Sequence, residues 1–273
     1  MTKTFAVIGD PIDHSLSPNI HNAAFRELDL DCTYIAYKIP KNELIDGLDA
    51  LKKIKISGFN VTIPHKIDIM KFLDHVDEDS KLIGASNTVT NQNDVLTGYN
   101  TDMQGFLEPI IQREFDIKKS NVLLYGAGGA ARAIIVAFAK QNAKKVTIVN
   151  RTIEKGRELV ELAKKLGLIA EVISYEKLSE YNNKYDFIIN STSIGMKGEN
   201  FPITEELIDE NSVVYDIVYK PINTDLIKKA KNANSTIIYG YEMLLGQAAR
   251  SFEIWMDEKP PYDAMKKAIL GGF

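Results

Sequence analysis

The chain has 273 residues, of which 33 are basic and 37 acidic, and 45% are apolar. This balance is typical of a folded globular protein and excludes a mainly disordered chain. A formal net charge of −4 argues against a general nucleic-acid-binding surface, although basic residues can still gather at one anion site. Cys32 is the single cysteine, which excludes an internal disulfide and a cysteine-rich metal site.

The length suggests about two domains. No apolar run approaches the roughly 18 residues of a membrane helix, and the first residues lack the apolar core of a signal peptide. We therefore expect no membrane segment, no metal ion and a cytoplasmic location. The sequence leaves both a monomer and a homodimer open.

Strands and helices alternate in the first part of the chain. The predicted strands are 5–8, 33–39 and 58–63, and the predicted helices are 18–28 and 42–53. Pro64 ends the third strand because it has no N–H to donate to a neighbouring strand. Residues 91–101 predict a turn-rich segment, and a helix follows from 102 to about 115.

A second alternation begins at Val122. Its predicted strands are 122–125, 145–150, 187–190, 213–217 and 236–239, with helices at 130–141, 154–166 and 224–232. This five-strand run is of Rossmann type. We therefore predict an α/β protein of two domains, in which a mostly parallel N-terminal α/β sheet precedes the Rossmann domain. A last helix, 243–256, carries Ala248, Phe252, Trp255 and Met256 on one apolar face.

The turn after the strand 122–125 fits the pattern G-x-G-x-x-G/A at Gly126, Gly128 and Ala131. The first glycine permits a tight turn, the second lets a pyrophosphate approach the backbone, and the alanine permits close packing of helix on strand. The following helix N-terminus offers N–H groups to phosphates. Because a strand precedes the turn and a helix follows it, we predict dinucleotide binding.

The next strand bears on the choice of cofactor. Sites for NAD usually end this strand with Asp or Glu, which holds the ribose 2′-OH. Here the strand ends at Asn150, followed by Arg151 and Thr152, with Lys155 close behind. A guanidinium can pair with a 2′-phosphate, which favours NADP over NAD. The alternative is that Arg151 is a solvated surface residue.

Four further clusters contain polar side chains that local folding alone does not explain; they are 14–18, 60–66, 84–88 and 98–102. In the first, Ser17 before Pro18 predicts a helix N-cap followed by proline at the first helical position. Ser15 is then free, and both hydroxyls could hold a ligand carboxylate. In the second, a strand that stops at Pro64 delivers Lys66, which is either a catalytic group or an exposed lysine on a turn.

Taken together, these motifs resemble the shikimate dehydrogenase family, and the resemblance covers nearly the whole chain. Seven motifs occur in family order: S-x-S-P at 15–18, N-V-T-I-P-x-K at 60–66, N-T-V at 87–89, N-T-D at 100–102, G-A-G-G-A-A at 126–131, N-R-T at 150–152 and M-L-L-x-Q at 243–247. The resemblance implies reversible NADPH-dependent reduction of 3-dehydroshikimate to shikimate, in the chorismate pathway to aromatic amino acids. It also implies a substrate domain of residues 1–102 plus 241–273 and an NADP domain of residues 103–240.

The resemblance also assigns residues. Lys66 and Asp102 would form the catalytic pair, and Ser15 and Ser17 would hold the substrate carboxylate. The residues that would orient the ring hydroxyls or the lysine are Thr62, Asn87, Tyr219 and Gln247. The residues that would bind NADP are Gly126, Ala127, Gly128, Gly129, Ala130, Asn150, Arg151, Thr152, Lys155 and Gly240, the last beside the nicotinamide.

Which of Lys66 and Asp102 is the formal proton donor stays open. So does a close alternative, a quinate/shikimate dehydrogenase with dual substrate or NAD use. A ligand-sensing regulator on the same fold would not need Lys66 and Asp102, and no added DNA-binding segment is visible in the sequence.

Overall fold

The computed structural model describes residues 2–181 and 183–273; Met1 and Asn182, which fall within the predicted domains, lie outside the described residues. The chain forms two compact units. Unit 1 comprises the residues up to Gly105 together with Leu245–Gly272, and unit 2 comprises Phe106–Leu244 with Phe273. The predicted division, at residues 102 and 241, also assigned substrate and cofactor to the two parts, and that assignment stays a prediction.

Unit 1 is built on a mixed six-stranded sheet with the order β2-β1-β3-β5-β6-β4. The strands are β1 Lys3–Gly9, β2 Cys32–Lys38, β3 Gly58–Val61, β4 His75–Val76, β5 Thr88–Gln92 and β6 Val95–Tyr99. Strand β1 pairs in parallel with β2 and β3, and β4 pairs in parallel with β6, whereas β5 is antiparallel to β3 and β6. The sheet is therefore mostly parallel, as predicted.

The helices that include residues of unit 1 are α1 Ser17–Glu27, α2 Leu44–Lys53, α3 Glu78–Ile83, α4 Asp102–Gln112, α8 Gly240–Met256 and α9 Tyr262–Leu270. The limits of the units fall inside α4 and α8. Apolar side chains of β1 and β3 pack with one face of α2, so that Ile8, Phe59 and Leu51 lie in one buried cluster. These side chains form part of the apolar core of unit 1.

Unit 2 contains a six-stranded parallel sheet with the order β12-β11-β10-β7-β8-β9. The strands are β7 Asn121–Tyr125, β8 Lys145–Val149, β9 Ile169–Ile173, β10 Phe187–Asn190, β11 Val213–Asp216 and β12 Thr236–Tyr239, and the connecting helices are α5 Gly129–Lys140, α6 Ile153–Lys165 and α7 Asp225–Asn232. The central strands β10 and β11 are buried throughout, as expected for a sheet covered on both faces. Ligands of such sheets bind beyond the carboxyl ends of the strands.

The predicted fold class is confirmed, and several element assignments were wrong. The segment 91–101 is not turn-rich throughout, because it contains most of the β5–β6 hairpin, whose turn is Asn93-Asp94 with φ of 54° and 67°. Unit 2 has six strands rather than five, since β9 forms an additional edge. The predicted last helix, α8, begins at Gly240 instead of residue 243, and a further helix, α9, follows it where none was predicted.

Within residues 2–181 and 183–273, no helix is long and apolar enough to cross a bilayer. In the same residues, no group of three or more His, Cys, Asp and Glu side chains is placed to hold a metal ion.

Candidate active site

The turn after β3 delivers Lys66. The backbone N–H of Thr62 still donates to the Ile8 carbonyl (2.9 Å), and the N–H of His65 donates back to the Thr62 carbonyl (2.9 Å). The buried His65 ring places its Nε2 2.7 Å from the Ile39 carbonyl oxygen. The Lys66 carbonyl accepts from the N–H of Ser86 (2.9 Å), so the backbone that carries this lysine is held from two sides.

Lys66 forms an ion pair with Asp102. The Nζ atom lies 2.6 Å from Oδ2 of Asp102, and the two side chains are 17% and 4% exposed. The other carboxylate oxygen, Oδ1, accepts from Nδ2 of Asn87 (2.9 Å). Asp102 starts α4, where its N–H donates to Oδ1 of Asn100 (3.1 Å). A cation and an amide therefore hold the carboxylate in one orientation.

Asn87 also joins the pair to α8. Its Nδ2 lies 2.9 Å from Oγ1 of Thr101 and 3.4 Å from Oε1 of Gln247, and its Oδ1 accepts from the N–H of Thr101 (2.8 Å). Both Asn87 and Gln247 are buried. Four of the predicted site residues, Lys66, Asp102, Asn87 and Gln247, thus meet in one hydrogen-bonded cluster of unit 1.

Asn60 supports this cluster, and sequence reasoning gave it no role. Its Nδ2 lies 3.0 Å from the Asn87 carbonyl oxygen, from Oγ1 of Thr88 and from Oγ of Ser251, and its Oδ1 accepts from the Tyr34 hydroxyl (2.6 Å). The signal in the sequence is a polar residue inside a short, otherwise buried strand. A buried amide needs partners on both its oxygen and its nitrogen, so its neighbours must be polar too.

The two predicted carboxylate-binding serines lie at the start of α1, but with a different local arrangement. The helix begins at Ser17, not at Pro18, and Leu16 is the cap residue. The predicted N-cap role of Ser17 is therefore wrong. Ser15 takes part of that role instead, because its hydroxyl accepts from the N–H of Ser17 (3.3 Å). Tyr34, which lies nearby, is buried, and this burial raises the pKa of its hydroxyl well above the ordinary value.

In unit 2 the glycine-rich turn has the expected local geometry. Gly126 has φ of +107°, and a Cβ there would lie 2.6 Å from Oγ of Ser191, so both conformation and space require glycine. A Cβ on Gly128 would meet nothing within 4 Å. Gly129 and Ala130 open α5, and Ala131 is fully buried against the sheet. The backbone at this turn can therefore be approached by a ligand.

Exposed basic side chains follow β8. Nδ2 of Asn150 donates to the Thr152 carbonyl (2.7 Å), which holds the turn into α6. Arg151, Thr152 and Lys155 are exposed, and no acidic residue within residues 2–181 and 183–273 forms an ion pair with Arg151. The guanidinium is therefore free to meet a phosphate, and these residues fit NADP.

Two further predicted site residues lie in unit 2. Tyr219 follows β11 and is half-buried, and this burial raises the pKa of its hydroxyl. Gly240 starts α8, and a Cβ there would lie 2.5 Å from the Ile217 carbonyl oxygen, so glycine is required for this close approach. In unit 1, Thr62 is half-buried directly after β3, four residues before Lys66.

Three protein-family models match the chain in succession. Residues 7–89 match the shikimate dehydrogenase substrate binding domain, residues 109–214 match the shikimate/quinate 5-dehydrogenase family, and residues 240–270 match the shikimate 5′-dehydrogenase C-terminal domain. The matched segments leave only short stretches between them.

Whole-chain comparisons agree. The chain is 64% identical over 273 residues to the shikimate dehydrogenase (NADP(+)) of Nitrosopumilus maritimus, with 100% of both chains covered. A shikimate dehydrogenase crystallised in complex with NADP+ superposes with a TM-score of 0.90 at 39% identity, covering 99% of this chain and 95% of the other. The Thermus thermophilus enzyme in complex with NADP(H) and shikimate gives a TM-score of 0.87 at 32% identity, covering 99% and 100%. The chain belongs to the shikimate dehydrogenase family.

Proposed function

We propose that this chain catalyses the reversible NADP-dependent reduction of 3-dehydroshikimate to shikimate, in the chorismate pathway to aromatic amino acids. The observation that carries the proposal is the Lys66–Asp102 pair at 2.6 Å, held by Asn87. The family membership of the chain and its similarity to enzymes named NADP-dependent support the same activity.

Lys66 acts on the oxygen of the ketone. Negative charge develops on that oxygen as the carbon is reduced, and a cation beside it lowers the barrier. The ammonium group supplies this charge and has a proton to deliver. Asp102 accepts a hydrogen bond from Nζ and so fixes where the ammonium points. A positioned proton donor typically contributes about 10²–10⁴-fold in rate.

The remaining substrate residues bind and orient. We propose that the Ser15 and Ser17 hydroxyls hold the substrate carboxylate at the start of α1. The side chains that would meet the ring hydroxyls are Thr62, Asn87, Tyr219 and Gln247. Both N–H bonds of the Asn87 amide are donated to Asp102 and Thr101, so its main contribution would be to orient Asp102 beside the ring.

NADP would be held by the glycine-rich turn and the start of α6. The backbone N–H of Gly126 already donates to the Val149 carbonyl (3.0 Å), so Gly126 would shape the turn, and the N–H groups of Ala127, Gly128, Gly129 and Ala130 would meet the pyrophosphate. Arg151 and Lys155 would meet the 2′-phosphate, with Asn150 and Thr152 shaping the turn, and Gly240 would lie beside the nicotinamide. When bound, NADPH supplies the hydride.

The division of labour follows from these assignments. Residues 1–102 with 241–273 would bind the substrate, and residues 103–240 would bind NADP. We also propose a cytoplasmic location, in keeping with the single cysteine of the chain.

The proposal is tested by initial rates with shikimate and with quinate, each with NADP+ and with NAD+. We expect the highest kcat/KM with shikimate and NADP+. Activity confined to quinate with NAD+ would overturn both the substrate and the role of Arg151. No activity with any of the four pairs would favour a ligand-sensing regulator.

A further inference from the structure

Two buried polar side chains meet at the carboxyl edge of the sheet in unit 2, and the proposed chemistry does not use them. Asn190 is the last residue of β10 and Asp216 the last of β11, and both are fully buried. Nδ2 of Asn190 donates to Oδ1 of Asp216 at 2.8 Å. A carboxylate inside a sheet is costly unless donors surround it.

Asn190 fixes the loop that follows β10. Its Oδ1 accepts from the backbone N–H of Thr192 (2.9 Å) and from the hydroxyl of the same residue (2.6 Å). Its Nδ2 donates to the Ile194 carbonyl (3.0 Å) as well as to Asp216. The hydrogen-bonding capacity of the amide is thereby used on both atoms, and the loop is held at two points.

Asp216 fixes the loop that follows β11. Its Oδ1 also accepts from the N–H of Val218 (3.0 Å), and its Oδ2 accepts from the Thr224 hydroxyl (2.5 Å). The same hydroxyl oxygen accepts from the N–H of Ile227 (3.2 Å) and so caps α7. The segment that carries Tyr219 is therefore tied to Asp216 at its beginning and at its end.

Both loops lie against glycines of the NADP site. A Cβ on Gly126 would lie 2.6 Å from Oγ of Ser191, and a Cβ on Gly240 would lie 2.7 Å from the carbonyl carbon of Val218. Close packing of this kind transmits a shift of either loop to the glycine backbone. A shift of the loop after β10 would therefore also move the backbone of Gly126, and a shift of the loop after β11 would move that of Gly240.

We propose that Asp216 and Asn190 are positioning residues for NADP, which hold the loops after β10 and β11 in the conformation that the cofactor binds. The inference rests on the proposed function, since it takes the glycine-rich turn as the NADP site. The donors surrounding Asp216 explain how a carboxylate is tolerated at a buried position.

Burial nevertheless raises the pKa of Asp216 to about 6, although three hydrogen bonds act in the opposite direction. The folded chain therefore bears a cost for this charge, and a buried apolar pair of similar size is often at least as stabilising. A role in holding the ligand-binding loops accounts for a group that stability alone does not favour.

The test compares Asp216→Asn with Ser212→Ala. Ser212 is buried directly before β11, at the amino end of the strand that Asp216 closes, and its hydroxyl donates to the Tyr185 carbonyl (2.9 Å). Calorimetric titration gives the Kd of NADP+ and of shikimate for the full-length chain, urea unfolding gives stability, and steady-state rates separate KM from kcat. We expect D216N to weaken NADP+ binding by at least about 10-fold, as the loss of hydrogen bonds to a charged group implies, with a smaller loss for shikimate, since Tyr219 is only one of its proposed contacts. Ser212→Ala should lower stability and leave the Kd of NADP+ unchanged.

A second pair of variants keeps the test decisive if D216N does not fold. Thr224→Val removes the hydroxyl that donates to Asp216, and Thr224→Ser keeps it. We expect weaker NADP+ binding for the valine variant and near-normal binding for the serine variant. If wild type, D216N and Thr224→Val bind NADP+ with equal affinity, the inference is overturned while the proposed function stands. The same conclusion follows if Ser212→Ala loses as much NADP+ affinity as D216N does. If the wild-type chain does not bind NADP+, the proposed function fails and the inference fails with it.

Discussion

A buried histidine makes the stability of unit 1 sensitive to acid. His21 is fully buried, and neither ring nitrogen has a hydrogen-bond partner within the described part of the chain. The imidazole stacks on Tyr34 with ring centroids 4.5 Å apart and lies 5.2 Å from the ring of Trp255. Burial lowers its pKa from 6.5 to about 3. Protonation would place an unpaired charge among aromatic rings.

The sign and the size of the effect follow from proton linkage. Between pH 6.5 and about 3 the unfolded chain binds a proton at this position and the folded chain does not, so stability falls as the pH is lowered. The contribution of His21 falls by about 0.7 kcal/mol between pH 7 and pH 6 and by about 2 kcal/mol between pH 7 and pH 5. The loss approaches about 1.4 kcal/mol per pH unit below pH 5.5.

The assay is urea unfolding of wild type and His21→Phe between pH 8 and pH 5. Phenylalanine keeps an aromatic ring in the cluster and gives up no hydrogen bond, so we expect the variant to gain stability relative to wild type as the pH falls, by about 2 kcal/mol at pH 5. His75→Gln is the control, because this histidine is exposed in β4 and should follow the wild-type curve. A difference between wild type and His21→Phe that is constant over the whole pH range would refute the reasoning.

Three further predictions concern the proposed site. Lys66→Ala should lower kcat by at least about 10²-fold through loss of the proton donor while the Kd of NADP+ is unchanged, and near-normal turnover would contradict the role. Arg151→Ala should raise the KM for NADPH by about 10-fold or more and leave the KM for NADH unchanged, because only NADPH carries the 2′-phosphate. An equal rise in KM for both cofactors would show that Arg151 is a solvated surface residue. Gly126→Ala should weaken NADP+ binding by about 10-fold or more, since φ is +107° and the new Cβ would lie 2.6 Å from Oγ of Ser191; wild-type affinity in a titration would show that the turn tolerates a side chain.

The sequence was sufficient for elements whose hydrophobic pattern matches their environment. Central strands such as β7 and β10 are short apolar runs bounded by turn residues, and both were predicted within one residue of their bounds. Strand β9 was missed because it is an edge strand, where Ile169 is 63% exposed and no continuous buried run is present. Edge strands give a weak periodic signal.

The hairpin of unit 1 was missed for a different reason. Asn and Asp are frequent in segment 91–101, and this composition predicts turns throughout the segment. In the structure, only Asn93 and Asp94 have the positive φ of a tight hairpin turn, and the residues on either side pair as β5 and β6. Polar strand residues at a partly exposed face look like loop residues when composition alone is considered.

The residues that support the proposed site could not be predicted from the sequence, because their hydrogen-bond partners are distant along the chain. Asn60 and Ser251 are 191 positions apart, yet their side chains are 3.0 Å apart. A single sequence shows each residue as an isolated polar position, and no spacing rule joins them. Motif resemblance indicated Asn87 and Gln247, whereas the contacts that hold them required the fold.

The choice between amide and carboxylate at these buried positions follows from the neighbouring groups. In the hydrogen bonds found at the carboxylates of Asp102 and Asp216, every partner is a donor; examples are Nζ of Lys66 and the hydroxyl of Thr224. An ionised carboxylate accepts from all of these donors. Asn190 has both a donor and an acceptor beside it, since Thr192 donates to its oxygen and the Ile194 carbonyl accepts from its nitrogen.

An aspartate at position 190 would therefore set an oxygen against the Ile194 carbonyl and against Asp216, and an amide is the side chain that meets both demands. Each unit thus contains an amide–carboxylate pair, Asn87–Asp102 at 2.9 Å and Asn190–Asp216 at 2.8 Å. In unit 1 the carboxylate also holds the proposed catalytic lysine. In unit 2 the carboxylate holds backbone, which is why its proposed effect is on cofactor affinity rather than on proton transfer.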